Sequence, residues 1–226
     1  MLQEAISRSS ALMARLNTAT ASLHDERELF AGRVSWLDYR LYLVRLYGFH
    51  AAVEAALTAF RPLAAVVADA RLRNHKTALL AADLVALGVD RRDLCQVPRM
   101  AFAVSLALPE ALGWTYVVES ATLRGKLLAR RLARQLPDEM QRASAYLGCY
   151  GDEAVTRWRE LGEAIDAFAL GRVPAHGSQG ARAAEPEASR TELDCARVIE
   201  AAREGAIQLR CWVGPVLQPR TNRRHA

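Results

Sequence analysis

The chain has 226 residues, 51% of them hydrophobic, and a formal net charge of +5. It can bury a sizeable core, and its apolar runs stop well short of the ~20 residues of a membrane span. No charged-then-apolar leader precedes a small-residue cleavage site, so we expect a cytoplasmic protein. The modest positive charge favours an anionic ligand or an acidic protein partner. Nucleic acid is a less favoured partner, because the sequence shows no DNA-reading motif.

Ala, Leu and Arg dominate, while β-branched runs are scarce, which predicts an all-α fold. We expect one helical domain over residues 1–215, with a flexible loop at about 171–189 and a disordered basic tail at 216–226. The cysteines lie far apart without a CxxC pair, so we expect buried free thiols and neither disulfides nor zinc. They are Cys95, Cys149, Cys195 and Cys211.

A broken helical stripe runs from about Glu4 to Phe30 and contains the most interesting histidine of the chain. His24 and Glu28 are four residues apart, so they share one face of a helix. A histidine that binds a metal needs an acceptor for its second ring nitrogen, and Glu28 could be that acceptor. Such pairs are also common on helix surfaces, so a ligand and a solvated pair both remain possible.

The next two helices carry local start and stop signals. Ser35 and Asp38 resemble a capping box that opens a long helix, and Pro62 ends it beyond Phe60. A second helix covers about His75 to Leu87 and stops at Gly88, a typical left-handed cap. The remaining histidines are weaker candidates for ligands: His50 on an aromatic helix face, His75 at a helix start, His176 in the loop and His225 in the tail.

The chain is organised around a helix that starts at Pro109 and continues to Leu132. Its apolar residues recur at helical spacing, but residues 119–125 are mostly small or polar. A glycine inside a helix usually marks a close approach or a bend, so Gly125 allows two interpretations. Either two helices pack tightly there, or a flat ligand lies across a bent helix.

Further helices are predicted at about Glu139 to Tyr146, through Trp158 to Phe168, and from about Leu193 to Trp212, with a break at Gly148 to Gly151.

Together the segments resemble the bacterial haem oxygenases, especially the branch that supplies biliverdin to bacterial phytochromes. The resemblance spans Leu16 to about Val213. The pieces that carry it are Leu16-x-x-x-Thr20-x-x-x-His24-x-x-x-Glu28, Tyr47-Gly-Phe-His-Ala-Ala-Val-Glu54, Leu79 to Gly88, Leu112-Gly-Trp-Thr-Tyr-Val-Val-Glu-Ser-Ala-Thr-Leu-Arg-Gly125 and Tyr150 to Trp158.

The resemblance implies that haem, O2 and an external reductant react to give biliverdin, carbon monoxide and iron. The electron donor would be a ferredoxin or a reductase, and a bacterial phytochrome would be the biliverdin acceptor. By the same resemblance His24 binds the haem iron. The residues expected to bind haem are His24, Glu28, Thr20, Tyr116 and Arg124, and those expected at the oxygen site are Ser120, Ala121, Arg124 and Gly125.

Two residues depart from the family motif Glu-Gly-Ser/Ala-x-Leu-Gly-Gly, because Ser120 and Arg124 replace glycines. Arg124 either reaches a propionate at the haem edge or fills the pocket; Lys126 and Arg130 are further candidates for the propionates. The aromatic residue usual in the last helix of the family is also missing around Gly205. The alternatives are a non-catalytic member that binds a tetrapyrrole or a protein partner, and another small-molecule enzyme on the same scaffold.

Overall fold

A computed structural model describes residues 11–23, 32–73, 75–172 and 187–214 of the chain. Within these ranges the chain forms helices, turns and irregular segments but no strand, which confirms the all-α class. None of the helices described is long and apolar enough to cross a membrane. The helices are α1 (Ala11–Thr20), α2 (Trp36–Ala59), α3 (Ala70–Arg73), α4 (Lys76–Ala86), α5 (Leu108–Leu132), α6 (Pro137–Arg142), α7 (Ala154–Ala169) and α8 (Glu187–Val213).

The predicted helix signals are confirmed where they are local. The Asp38 backbone N–H donates to Ser35 Oγ at 3.2 Å, and the Ser35 backbone N–H donates to Asp38 Oδ2 at 2.9 Å. This reciprocal pair is the capping box that starts α2. Gly88 follows α4 with φ +83°, and Pro109 lies in the first turn of α5. Each of these signals acts within a few residues of the helix end it determines.

Two predicted helix boundaries are wrong. The helix predicted at about Glu139 to Tyr146 is α6, which ends at Arg142. The backbone N–H groups of Ala145 and Tyr146 donate instead to the Asp83 carboxylate, at 2.8 and 2.9 Å. A side chain of α4 thereby holds these residues in a turn that no local pattern announces.

The last helix also starts earlier than predicted. α8 begins at Glu187, whereas the sequence predicts a loop to Ser189 and a helix from about Leu193. An acidic residue and alanine are favourable in a first helical turn even without bulky neighbours. Residues 173–186 of the predicted loop, and the tail at 216–226, lie outside the described residues.

The core is built around α5, in which every residue from Ala111 to Leu123 is buried. A Cβ added at Gly113 would lie 2.5 Å from the Val198 carbonyl oxygen, and one at Gly205 would lie 3.1 Å from Trp114. These two glycines let the backbones of α5 and α8 come close together. The closest approach of α5 to α8 at a glycine of α5 is thus at Gly113, which lies before residues 119–125.

The cysteine prediction holds for two of the four thiols. All four are free, and Cys149 and Cys195 are buried. Cys95 and Cys211 are exposed, so the expectation that every thiol is buried is wrong for them. The spacing of cysteines along the chain bears on whether they can form disulfides. It does not tell which cysteines lie on an exposed helix face.

Candidate functional site

A contact between buried hydroxyl groups joins α1 to α5. Thr20 Oγ1 lies 3.2 Å from the hydroxyl of Tyr116, and the Tyr116 hydroxyl donates to Asn17 Oδ1 at 2.8 Å. Thr20 and Tyr116 are both almost inaccessible to solvent. Burial raises the pKa of Tyr116, while the Thr20 hydrogen bond and the charge of Arg124 oppose that rise. The phenol therefore stays neutral at physiological pH.

The direction of α1 is given by its contacts with α8. Arg15 on α1 pairs with Glu192 near the start of α8, at 3.0 Å. Just after α1, the Ser22 carbonyl accepts a hydrogen bond from Arg210 near the end of α8, at 3.1 Å. The later residue of the α1 segment thus contacts the later residue of α8. The helix α1 and the turn Ala21–Leu23 therefore run parallel to α8.

The helix α5 runs in the same direction over this part of the fold. Arg197 on α8 makes a two-pronged contact of 2.9 Å with Glu110 at the start of α5. Further along, a Cβ at Gly205 would lie 3.1 Å from Val117. Both α1 and α5 are thus parallel to α8 and to each other. The turn Ala21–Leu23 and the part of α5 beyond Val117 therefore follow α8 in the same direction.

Beyond Tyr116, the same side of α5 carries Ser120 and Arg124, because residues four apart share a helix face. Ser120 is buried, and its hydroxyl donates to the Val117 carbonyl at 3.0 Å. The half-buried Arg124 folds back by one turn, and its Nη2 donates to Ser120 Oγ at 3.3 Å. The guanidinium therefore lies along this face of the helix.

The two residues central to the predicted iron site, His24 and Glu28, lie outside the described residues. His24 directly follows Leu23, the last residue of the described turn, and is four residues beyond Thr20. Its assignment as the iron ligand stays a prediction, as does the role of Glu28.

Gly125 and Lys126 face the connector that joins α6 to α7. A Cβ added at Gly125 would lie 3.4 Å from both the side chain and the carbonyl oxygen of Leu147. The Lys126 ammonium donates to the Gly151 carbonyl in the same connector. Arg130 is exposed, and Ala121 is buried in the core. The predicted roles of these residues toward haem remain predictions.

A buried cluster of charges lies beside Ser120, and sequence analysis missed it. Glu119 accepts hydrogen bonds from Lys76 at 2.6 Å, from Tyr150 at 3.1 Å and from Arg73 at 3.4 Å. Burial and the Glu119 carboxylate raise the pKa of Tyr150, so its hydroxyl stays protonated. A carboxylate directly after Val117 and Val118 in a largely apolar helix was the available signal, because such a group requires partners if the helix is buried.

His50, on the aromatic face of its helix, is packed in the core with no exposed surface. Its Nε2 lies 3.0 Å from the Tyr146 hydroxyl, and its Nδ1 lies 3.8 Å from Glu54. Burial and the positive charge of Lys76 lower the pKa of His50 to about 3. Glu54 also accepts the backbone N–H of Lys76 at 2.9 Å, which caps α4. Among the residues described, no group of three or more metal-binding side chains is found.

A family model described as "Heme oxygenase" matches residues 10–173. The chain belongs to the haem oxygenase family. The matched range covers helices α1 to α7, including the Thr20–Tyr116 contact, and it contains His24. The helix α8, which aligns α1 and α5, follows the part matched by the haem oxygenase model. No curated protein and no solved structure matches the chain.

Proposed function

We propose that this chain is a haem oxygenase of the bacterial, biliverdin-producing type. It would open haem to biliverdin, carbon monoxide and iron, using O2 and electrons from a ferredoxin or a reductase. A bacterial phytochrome would receive the biliverdin. Membership of the family supports the haem substrate, and the Thr20–Tyr116 contact is the observation that supports the site.

The contact matters because it sets the register of two parallel segments. His24 is four residues beyond Thr20, and Ser120 is four residues beyond Tyr116. In the proposed site, a flat ring would lie between these two residues, with His24 on one side and Ser120 on the other. In this arrangement His24 binds the iron, and Glu28 accepts the hydrogen of its second ring nitrogen.

The side chains along this face of α5 suit a haem. Ser120 is small and buried, Arg124 is half-buried, and Leu127 further along is half exposed. A gradient from buried to exposed fits a flat apolar ring that enters from one end with its carboxylates near solvent. The iron and porphyrin of the bound haem supply the oxidative chemistry. The chain's own residues would ligate the haem, set its orientation and exclude water.

A second candidate is a member of the family that binds a tetrapyrrole without degrading it. The observation that favours it is the position of Arg124, which lies back over Ser120 on the side proposed for the haem. A guanidinium there would occupy space that the family motif leaves to a glycine.

Haemin titration, followed by reductant and air, tests both candidates. A Soret band that bleaches into biliverdin absorption supports the oxygenase, and a band that persists supports the binding protein. In His24→Ala, the imidazole-bound ferric spectrum should disappear, and added imidazole should partly restore it. His176→Ala is a matched control that should keep the wild-type spectrum. An unchanged spectrum in His24→Ala would contradict the ligand assignment.

A further inference from the structure

The segment that leads into α5, residues 99–107, is an extended stretch of chain that lies on the core. Every second side chain packs inward, and Arg99 and the residues between them are exposed, which is the period of a β-strand. The backbone is extended at Val97, with φ −60° and ψ 124°, and at Ala107, with φ −106° and ψ 179°. The inward residues are Met100, Phe102, Val104 and Leu106.

One edge of this segment has no hydrogen-bonding partner. Among the residues that the structure describes, none forms a hydrogen bond with the backbone of residues 101–106. The Met100 N–H donates to the Gly48 carbonyl of α2 at 3.1 Å, so this edge of the segment borders α2. Successive residues of an extended chain direct their backbone groups to opposite edges. The backbone groups of Ala101, Ala103 and Ser105 therefore point to the edge away from α2.

The sequence does not protect this free edge against pairing. Proteins usually block an open strand edge with charged side chains, proline or a covering element. Residues 100–107 contain neither a charged residue nor a proline. The side chains of Ala101, Ala103 and Ser105 are exposed and small, so another strand can come within hydrogen-bonding distance. Phe102 holds the segment in place, because its ring contacts Trp114 edge to face with centroids 4.8 Å apart.

We propose that this edge pairs with the same edge of a second copy of the chain, which gives a two-fold symmetric dimer. Two identical strands pair antiparallel about a two-fold axis, and we place that axis at Ala103. Ala101 of each copy then faces Ser105 of the other copy. In this register the N–H groups of Ala101, Ala103 and Ser105 all find carbonyl acceptors.

The charges at the two ends of the segment favour a second copy as the partner. In the proposed register Arg99 faces Ala107 of the other copy, and the Ala107 N–H donates to the Glu110 carboxylate at 3.2 Å. Glu110 and Asp194 both pair with Arg197, so two negative charges and one positive charge leave this site with a net charge of −1. The exposed Arg99 of each copy therefore meets a site of opposite charge.

The position of α2 limits the assembly to two copies. The edge that carries the Met100 N–H is occupied by the Gly48 carbonyl, so each chain offers one open edge. A single self-complementary edge gives a closed dimer and not a filament.

Analytical ultracentrifugation of the full chain over a series of concentrations tests the proposal, and the wild-type chain should dimerise reversibly. Ala103→Lys and Ala103→Glu should each weaken the dimer roughly fivefold or more, because like charges then face each other across the axis. An equal mixture of these two variants should dimerise again, since lysine then faces glutamate. The matched controls are Ala82→Lys and Ala82→Glu, which place the same charges at an exposed alanine of α4 and should dimerise like wild type.

Ala103→Pro removes the N–H group at the axis from both copies and should weaken the dimer roughly tenfold or more. Circular dichroism shows whether each variant folds. If Ala103→Pro does not fold, the charge variants at this exposed position carry the same comparison.

Three results would overturn the proposal. A wild-type chain that stays monomeric up to millimolar concentration would leave the edge for another partner, such as an extended peptide of a different protein. A dimer that the Ala103 variants do not weaken would have its interface elsewhere. Lysine and glutamate variants that are monomeric alone and also when mixed would exclude an axis at Ala103. None of these results bears on haem binding, so the proposed function is tested separately.

Discussion

Lys76 and Glu119 form an ion pair inside the protein, with 2.6 Å between Nζ and Oε1 and both side chains almost inaccessible to solvent. Lys76 also donates to the Arg73 carbonyl at 2.5 Å and to the Tyr150 hydroxyl at 2.8 Å. All three ammonium hydrogens thus have acceptors. Glu119 directly precedes Ser120. The ion pair therefore anchors α5 next to a residue of the proposed haem site.

Glu119→Gln should strongly destabilise the fold, because it leaves Lys76 buried without a charged partner and Arg73 paired only with Glu160. Removing one member of a buried ion pair typically costs about 3–5 kcal/mol. Urea unfolding followed by circular dichroism measures the loss. The matched control is Glu192→Gln, which breaks the exposed pair with Arg15 and should cost at most about 1 kcal/mol. Equal losses in the two variants would mean that the buried pair contributes no more than a surface one.

Gly113→Ala tests the close approach of α5 and α8. The added Cβ would lie 2.5 Å from the Val198 carbonyl oxygen, so one backbone must move. Overpacking of this kind costs about 1–3 kcal/mol. Gly162→Ala on α7 is the control, since its Cβ would meet only Met13 at 3.8 Å, and alanine should stabilise the helix by up to about 1 kcal/mol. Thermal unfolding of both variants should show shifts of opposite sign.

The acid stability of the protein should depend on His50. Its pKa is about 3 in the fold, against about 6.5 in an unfolded chain, so the unfolded state binds more protons between these values. The free energy of unfolding should therefore fall as the pH is lowered, by roughly 2 kcal/mol from this residue between pH 7 and pH 5. The groups around it are Glu54, Tyr146 and Lys76.

Urea titrations at pH 7, 6 and 5 measure this dependence. His50→Gln keeps a donor for Tyr146 but cannot gain a charge, so its stability should change less with pH. The comparison uses the slope and not the absolute stability, since the substitution itself disturbs the core. Parallel slopes in wild type and variant would assign the acid sensitivity to other groups.

Arg124→Gly restores the glycine that the family motif has at this position. Because the guanidinium folds back over Ser120, we expect the variant to bind haemin more tightly and to form biliverdin faster. Relief of overpacking and of a partly buried charge should amount to roughly a tenfold change. Haemin titration and the rate of biliverdin formation are the measurements. Weaker haemin binding, or an altered biliverdin isomer, would indicate instead that Arg124 orients the haem through a propionate.

Local signals predicted much of the fold, and a distant contact accounts for the error at the end of α6. The capping box at Ser35 and the glycine stop at Gly88 act within one helical turn, so the sequence displays both partners. The end of α6 depends on Asp83, which lies more than fifty residues earlier in the chain. No periodicity links these positions, because a hydrogen bond between remote segments leaves no local pattern.

The sequence by itself determined the all-α class, the starts of α2 and α5, the end of α4 and the resemblance to the haem oxygenase family, since these follow from periodicity, capping and motif order. The tertiary structure decided which residues meet. It brought Thr20 to Tyr116, enclosed Glu119 between two cations, and laid Arg124 back over Ser120. Local composition cannot supply such pairings, because they depend on how α8 aligns α1 with α5, and that alignment forms only when the helices pack.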